Sequence, residues 1–180
     1  INEWGNQLLY SGDFSTEGCD KIMEVILMKN VDEARKMLFS IGMPKAQQSD
    51  LCCYSLLALA GLAPDSEWTD STENWLRIHD IIEFTKDKYD VVYAENSRET
   101  FRKQAMHHFR TAAVIEDNGK PTNSPHYRYR LTWEMLKLIR SFNTVLWDEE
   151  LTAFLSKHDK LVTIYASKKE MKKMPVKING

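Results

Sequence analysis

Cysteine is scarce in this chain, and the three present, Cys19, Cys52 and Cys53, cannot all pair within one molecule. The last two are neighbours that would point about 100° apart on a helix. No two-residue spacing with matching histidines suggests zinc. Reduced core thiols in a cytosolic protein are the expectation. Long hydrophobic runs are also missing. The best, near residues 22–28 and 56–62, fall well short of the roughly 18–20 residues that cross a bilayer, so no membrane partner is expected. No charged-then-apolar leader opens the chain. It begins with Ile1 rather than Met, which reads as a piece trimmed from something longer. Internal repeats and low-complexity tracts are absent too.

The chemistry of catalysis is equally thin. There is no Gly-rich phosphate loop and no nucleophile motif of the hydrolases. The sole acid–any–Lys triplet is Glu170–Met171–Lys172, half of a minimal nuclease metal site. It lies in a lysine-rich helix tail without the further Asp that such a site needs. His107 and His108 diverge on a helix and make a poor pair of metal ligands. No catalytic residue, metal or cofactor is therefore expected in this chain itself.

What is present is an ordinary globular composition: 180 residues, 43% hydrophobic and 28% charged, enough for one sizeable core or two small ones. The net charge is −2, but it is unevenly spread. Residues 96–130 hold seven Lys or Arg against three acids, a local +4, and three of the five histidines. Local rather than net charge governs binding to a polyanion.

Periodicity predicts a mainly α fold. Residues 1–20 have no clear period and read as a loose lead-in. Helical signals start at Asp20, and Val31, Ala34, Leu38 and Ile41 mark one helix face, closed by Gly42 and Pro44. Residues 49–62 are apolar enough to be the central buried helix. After a turn-rich connector at 64–70, a helix is predicted from Thr72 or Asn74, with Leu76, Ile78, Ile81, Ile82 and Phe84 inward. A link at 90–96 leads to a further helix capped by Ser97 or Asn96. That helix ends near Ala113 and carries the apolar stripe Phe101, Ala105, Phe109 and Ala112. Residues 114–130 read as strand, Asn118–Gly119 turn, long loop and second strand. Helices follow over 132–142 and 148–172, the latter broken near His158, and Met174–Ile178 resembles a short strand.

Helix, link, helix and basic hairpin is the order of a winged helix-turn-helix, here with additional helices. In that fold the second helix enters the major groove and the hairpin reaches toward backbone or minor groove. The predicted DNA-facing side of the helix carries Arg98, Lys103, Gln104 and His107, with Arg102 and Arg110 at its margins. Arg can take guanine O6 and N7 bidentately, Gln can do the same for adenine, and Lys or protonated His neutralises phosphate. Asn96, Ser97 and Thr100 sit where a helix start donates to phosphate. The wing adds Lys120, Thr122, Asn123, Ser124, His126 and Arg128.

At these residues the sequence resembles a known family. Gln47–Gln48, the leucine-rich 55–61, Asn96–Ser97–Arg98–Glu99–Thr100–Phe101–Arg102, Met106–His107–His108–Phe109, Pro121–Thr122–Asn123–Ser124–Pro125 and Leu138–Ile139–Arg140–Ser141–Phe142 resemble the amino-terminal domain of BsuBI/PstI-type type II restriction endonucleases. Residues 174–178 resemble that family's crossing into its nuclease domain. The likeness runs from Val31 to Ile178, leaving 1–30 as a lead-in segment. It implies a winged-helix DNA-recognition domain over residues 31–178. The full enzymes of the family cleave duplex DNA at a short palindrome, CTGCAG in its named members, using Mg²⁺ in a separate carboxyl-terminal nuclease domain. Since the chain stops at Gly180, that domain is expected to be absent and this chain inactive alone. The implied partners are double-stranded DNA and the enzyme's own nuclease domain, with room for a homodimer. Two other readings stay open: a winged-helix transcriptional regulator that dimerises through acidic flanks, and a protein-interaction module.

Overall fold

The computed structural model describes residues 16–173. The expected strand at 174–178 lies outside them, as does the first half of the 1–30 lead-in. Helix α1 spans Thr16–Ser40, so the lead-in is helical from Thr16 and no break falls at residue 31. It buries Val31, Ala34 and Leu38 as the spacing predicts, with Ile41 just after it, and adds Met37, which the spacing does not mark. Gly42, at φ +81°, stands in the left-handed region after the last turn.

Helix α2 (Asp50–Ala60) is the hub. Nearly all its side chains are buried, because α1, the third helix, the helix at 98–111 and the second strand pack around it. That surround explains why its sequence is apolar on every side. Gly61 ends it at φ +70°, donating its N–H to Ala58 and Leu57. A Cβ at this glycine would stand 2.6 Å from Thr72 Oγ1. Cys52 and Cys53 are buried free thiols in α2. Burial pushes the Cys53 thiol up to about 12, which keeps it protonated.

Helix α3 (Ile78–Tyr89) starts later than the periodicity predicts. The reason is tertiary. Leu76 exchanges both backbone hydrogen bonds with Tyr129, each 2.8 Å, and adds an extended edge to the hairpin. Arg77 then turns the chain into α3, with the Asp80 carboxylate accepting its backbone N–H at 2.7 Å.

A 3-10 turn at Glu95–Ser97 precedes a continuous helix over residues 98–111. It is built from α4 (Arg98–Phe101), a π-helical turn (Arg102–Met106) and α5 (His107–Thr111). Ser97 stands at the N-cap position of α4 as expected, but it is already helical at φ −72° and ψ −10° and makes no capping side-chain bond; Ala94 precedes the 3-10 turn. The π turn widens the core face. Met106 joins Phe101, Ala105 and Phe109 in full burial, while Ala112 is half-buried.

Strands β1 (Ile115–Asp117) and β2 (Tyr129–Leu131) pair antiparallel, with Ile115 opposite Leu131. Thr132 then caps α6 (Trp133–Ser141), accepting the Met135 N–H. Helix α7 (Trp147–Lys173) is unbroken at His158. That imidazole meets the Ala112 carbonyl at 3.0 Å, so a residue read as an interruption ties α7 to the end of the 98–111 helix. Among the described residues no helix is long and apolar enough to cross a membrane.

Candidate nucleic-acid interface

The start of α3, the first half of the 98–111 helix and the wing between β1 and β2 enclose an open cleft of about 510 Å³. Four predicted contact residues meet on it, Asn96, Arg98, Arg102 and Ser124, together with Thr122. Four positively charged or imidazole-bearing side chains come from two elements, Arg98 and Arg102 being on the 98–111 helix. Arg77 and His79 belong to the entry of α3, and Arg98 stands 3.3 Å from His79 Nδ1 through its Nη2. The other imidazole nitrogen of His79 faces Glu83 at 3.2 Å.

Arg102 is held in place. Its Nε and Nη2 donate to the two Glu99 oxygens at 2.7 and 2.6 Å. Lys103 Nζ approaches the same carboxylate at 3.4 Å. These donors hold the Glu99 carboxyl down at about 2, the Arg102 hydrogen bond being the largest cause. Arg77 is likewise fixed by Asp80, whose carboxyl lies below the usual range chiefly because that guanidinium donates to it.

The remaining predicted residues do not converge on the cleft. Thr100, Lys103, Gln104 and His107 are exposed along the helix, with the His107 ring edge-on to His108 at 5.4 Å. Lys120 and Asn123 stand exposed on the wing. Ser97 is half-buried in the lead-in turn. Arg128 is half-buried and donates to the His126 carbonyl at 3.1 Å.

Arg110 differs from the rest. Its side chain is 22% exposed and its Nη1 donates to Asp117 at 3.3 Å and to the Tyr127 hydroxyl at 2.9 Å. Asp117, 5% exposed, also accepts the Gly119 N–H at 2.8 Å. Burial, and then the negative potential of Tyr129 and Asp117, push the Tyr127 phenol well above its ordinary value. Here Arg110 joins the helix to both ends of the wing. Asn118 closes the hairpin, donating to the His126 carbonyl at 2.6 Å, and its Oδ1 receives the Arg128 N–H at 3.3 Å.

Sequence reasoning missed Arg77, His79, Glu99 and Tyr127. Arg77 and His79 were legible only as the start of a helix, and the first helix of such a motif is known to cross the DNA backbone. Among the described residues no group of three or more His, Cys, Asp or Glu could hold a metal ion. The described residues therefore do not fit a Mg²⁺ site. The side chains of Glu170, Met171 and Lys172 lie outside the described ones.

Residues 28–163 match the family described as the BsuBI/PstI restriction endonuclease HTH domain. The chain is 38% identical over 153 residues to the type II restriction enzyme BsuBI of Bacillus subtilis, covering 83% of this chain and 48% of that protein. To the type II restriction enzyme AplI of Arthrospira platensis it is 25% identical over 149 residues, covering 81% and 46%. The solved structure of SdaI restriction endonuclease superposes with a TM-score of 0.69 at 32% identity, covering 77% of this chain and 44% of that one. The chain thus spans about half the length of the curated relatives it matches.

Proposed function

The chain belongs to the BsuBI/PstI restriction endonuclease HTH-domain family, and from that premise we propose that it is the duplex-DNA-recognition domain of a type II restriction endonuclease. The observation that carries the reading is the cleft between helix and wing, where Arg77, His79, Arg98 and Arg102 are gathered on one side of an otherwise acidic chain. A DNA strand laid across it would meet backbone-directed cations on the α3 side. The 98–111 helix would offer Arg102, Lys103 and Gln104 to base edges, and Lys120, Asn123 and Ser124 would reach from the wing. Ser97, Thr100, His107 and Arg128 complete the contact set as phosphate or groove-edge donors. Arg110 serves from behind by setting the wing.

Cleavage of a palindrome of the CTGCAG type with Mg²⁺ is, in this reading, the work of the enzyme outside these residues. The partners are double-stranded DNA and that nuclease portion. A homodimer would match the two halves of a palindrome, and the cytoplasm is where such an enzyme meets its substrate.

Fluorescence titration of a labelled duplex at two salt concentrations tests the reading. With about three or four phosphates neutralised, log K should fall against log salt with a slope of about −3, a loss of roughly sixtyfold between about 50 and 200 mM. A flat salt response, or no binding at low salt, would sink it.

A further inference from the structure

Of the three acids in the basic segment, only Glu99 lies on the cleft wall, and its side chain is 54% exposed. An exposed carboxylate on a surface meant for a polyanion is at odds with simple electrostatic attraction, because like charges in a cleft repel the ligand. Its contacts show what it does instead. Glu99 grips Arg102 side-on through Nε and Nη2, and it draws in Lys103 one residue further along. In that arrangement Nη1 is the guanidinium nitrogen not engaged by the carboxylate. The end of the fork formed by Nη1 and the outer Nη2 proton can still serve a base edge with two parallel donors.

Resting on the DNA-recognition reading above, we propose that Glu99 is a specificity-determining residue. It presets Arg102 for base edges and withholds Arg102 and Lys103 from sequence-indifferent binding to phosphate. Two effects combine. A fixed guanidinium loses less side-chain freedom when it meets a correctly placed acceptor pair. A carboxylate beside it lowers the attraction of any phosphate, whatever the sequence, so affinity for wrong DNA falls more than affinity for the right one. An i,i+3 pair that merely supports the helix would leave DNA discrimination unchanged.

The test compares the wild-type chain, Glu99→Gln and Glu99→Asp on two labelled duplexes. One carries the sequence that the wild type enriches from a randomised pool, and the other a scramble of it. Circular dichroism first establishes that each variant is folded. Releasing one or two cations should steepen the salt slope of Glu99→Gln on the scramble by about 1 to 2, and tighten that binding about three- to tenfold at low salt. The ratio of specific to scrambled affinity should fall by at least as much, while Glu99→Asp, which retains the charge, stays near the wild type. Unchanged slope and ratio in Glu99→Gln, with a wild type that binds DNA steeply with salt, would overturn this inference and leave the recognition reading standing. A wild type that binds DNA but enriches no sequence would overturn it as well. A wild type that binds no duplex at low salt would remove both.

Discussion

Replacing Arg110 by Met keeps the aliphatic stem and removes the charge that joins helix to wing. Asp117 would then remain 5% exposed with the guanidinium at 3.3 Å gone. Stranding a buried charge by removing its partner costs about 3–5 kcal/mol when nothing else satisfies it. The Gly119 N–H still donates to Asp117 at 2.8 Å and the Tyr127 side chain also hydrogen-bonds it, which brings the expectation to about 2 kcal/mol. Asp117→Asn should cost less, about 1–2 kcal/mol, since the amide oxygen can keep the Gly119 bond and Arg110 has some access to water. If the two side chains act through each other, the double variant loses less than the sum, and the coupling energy is about 1–2 kcal/mol. Urea unfolding followed by far-ultraviolet circular dichroism, with a common m-value across the four proteins, measures the cycle. A coupling below about 0.5 kcal/mol, within the scatter of independent sites, would refute the assignment of Arg110 as the tie between helix and wing.

Two other outcomes follow from the same geometry. Thr132→Val removes both the cap on α6 and a buried hydroxyl that donates to the Ala113 carbonyl at 2.8 Å; it should cost about 1–2 kcal/mol in thermal or urea unfolding. The Glu99 carboxyl at about 2 and the lowered Asp80 carboxyl are both depressed in the folded chain. Each therefore contributes stability that is complete above the ordinary carboxylate range and lost as pH falls toward the folded value. For Glu99 that window runs from 4.5 down to about 2. Because the exposed pair is screened, its direct readout is the carboxyl itself: an NMR titration of the Glu99 side chain should show a midpoint well below the ordinary Glu range, and an ordinary midpoint would show that the Arg102 pair is not kept in solution.

Where the pattern depended on burial, the sequence was a sound guide. The apolar stripe of the 98–111 helix and the all-round hydrophobicity of α2 both follow from what packs against them. Boundaries set by distant partners were not legible. Leu76 scores as a helix residue by period, yet its backbone is claimed by Tyr129, more than fifty residues away. Arg110 reads as a cation at the edge of a DNA-facing side because spacing alone cannot show that Asp117 and Tyr127 lie behind it. The π turn at Arg102–Met106 has no compositional mark, and it is what brings Met106 into the core. His158 was misread for the same reason: a polar residue in a helix looks like an interruption until the carbonyl it meets is known.

Charge counting needs the same refinement. Each acid of residues 96–130 is engaged by cations of that segment: Glu99 by Arg102 and Lys103, Glu116 by Arg130, Asp117 by Arg110. The total of +4 is unaffected, but the three carboxylates do different work. Glu116 and Asp117 have side chains only 15% and 5% exposed, so their ion pairs serve the hairpin and its seat on the helix. Their partners, Arg130 and Arg110, are thereby committed to the fold. Glu99 is exposed, and its pairs lie on the surface a ligand would touch. Surface pairs of this kind add little to stability, because water and salt screen them. A carboxylate that contributes so little to the fold, yet stands among the cations facing a polyanion, has its largest effect on which DNA those cations accept.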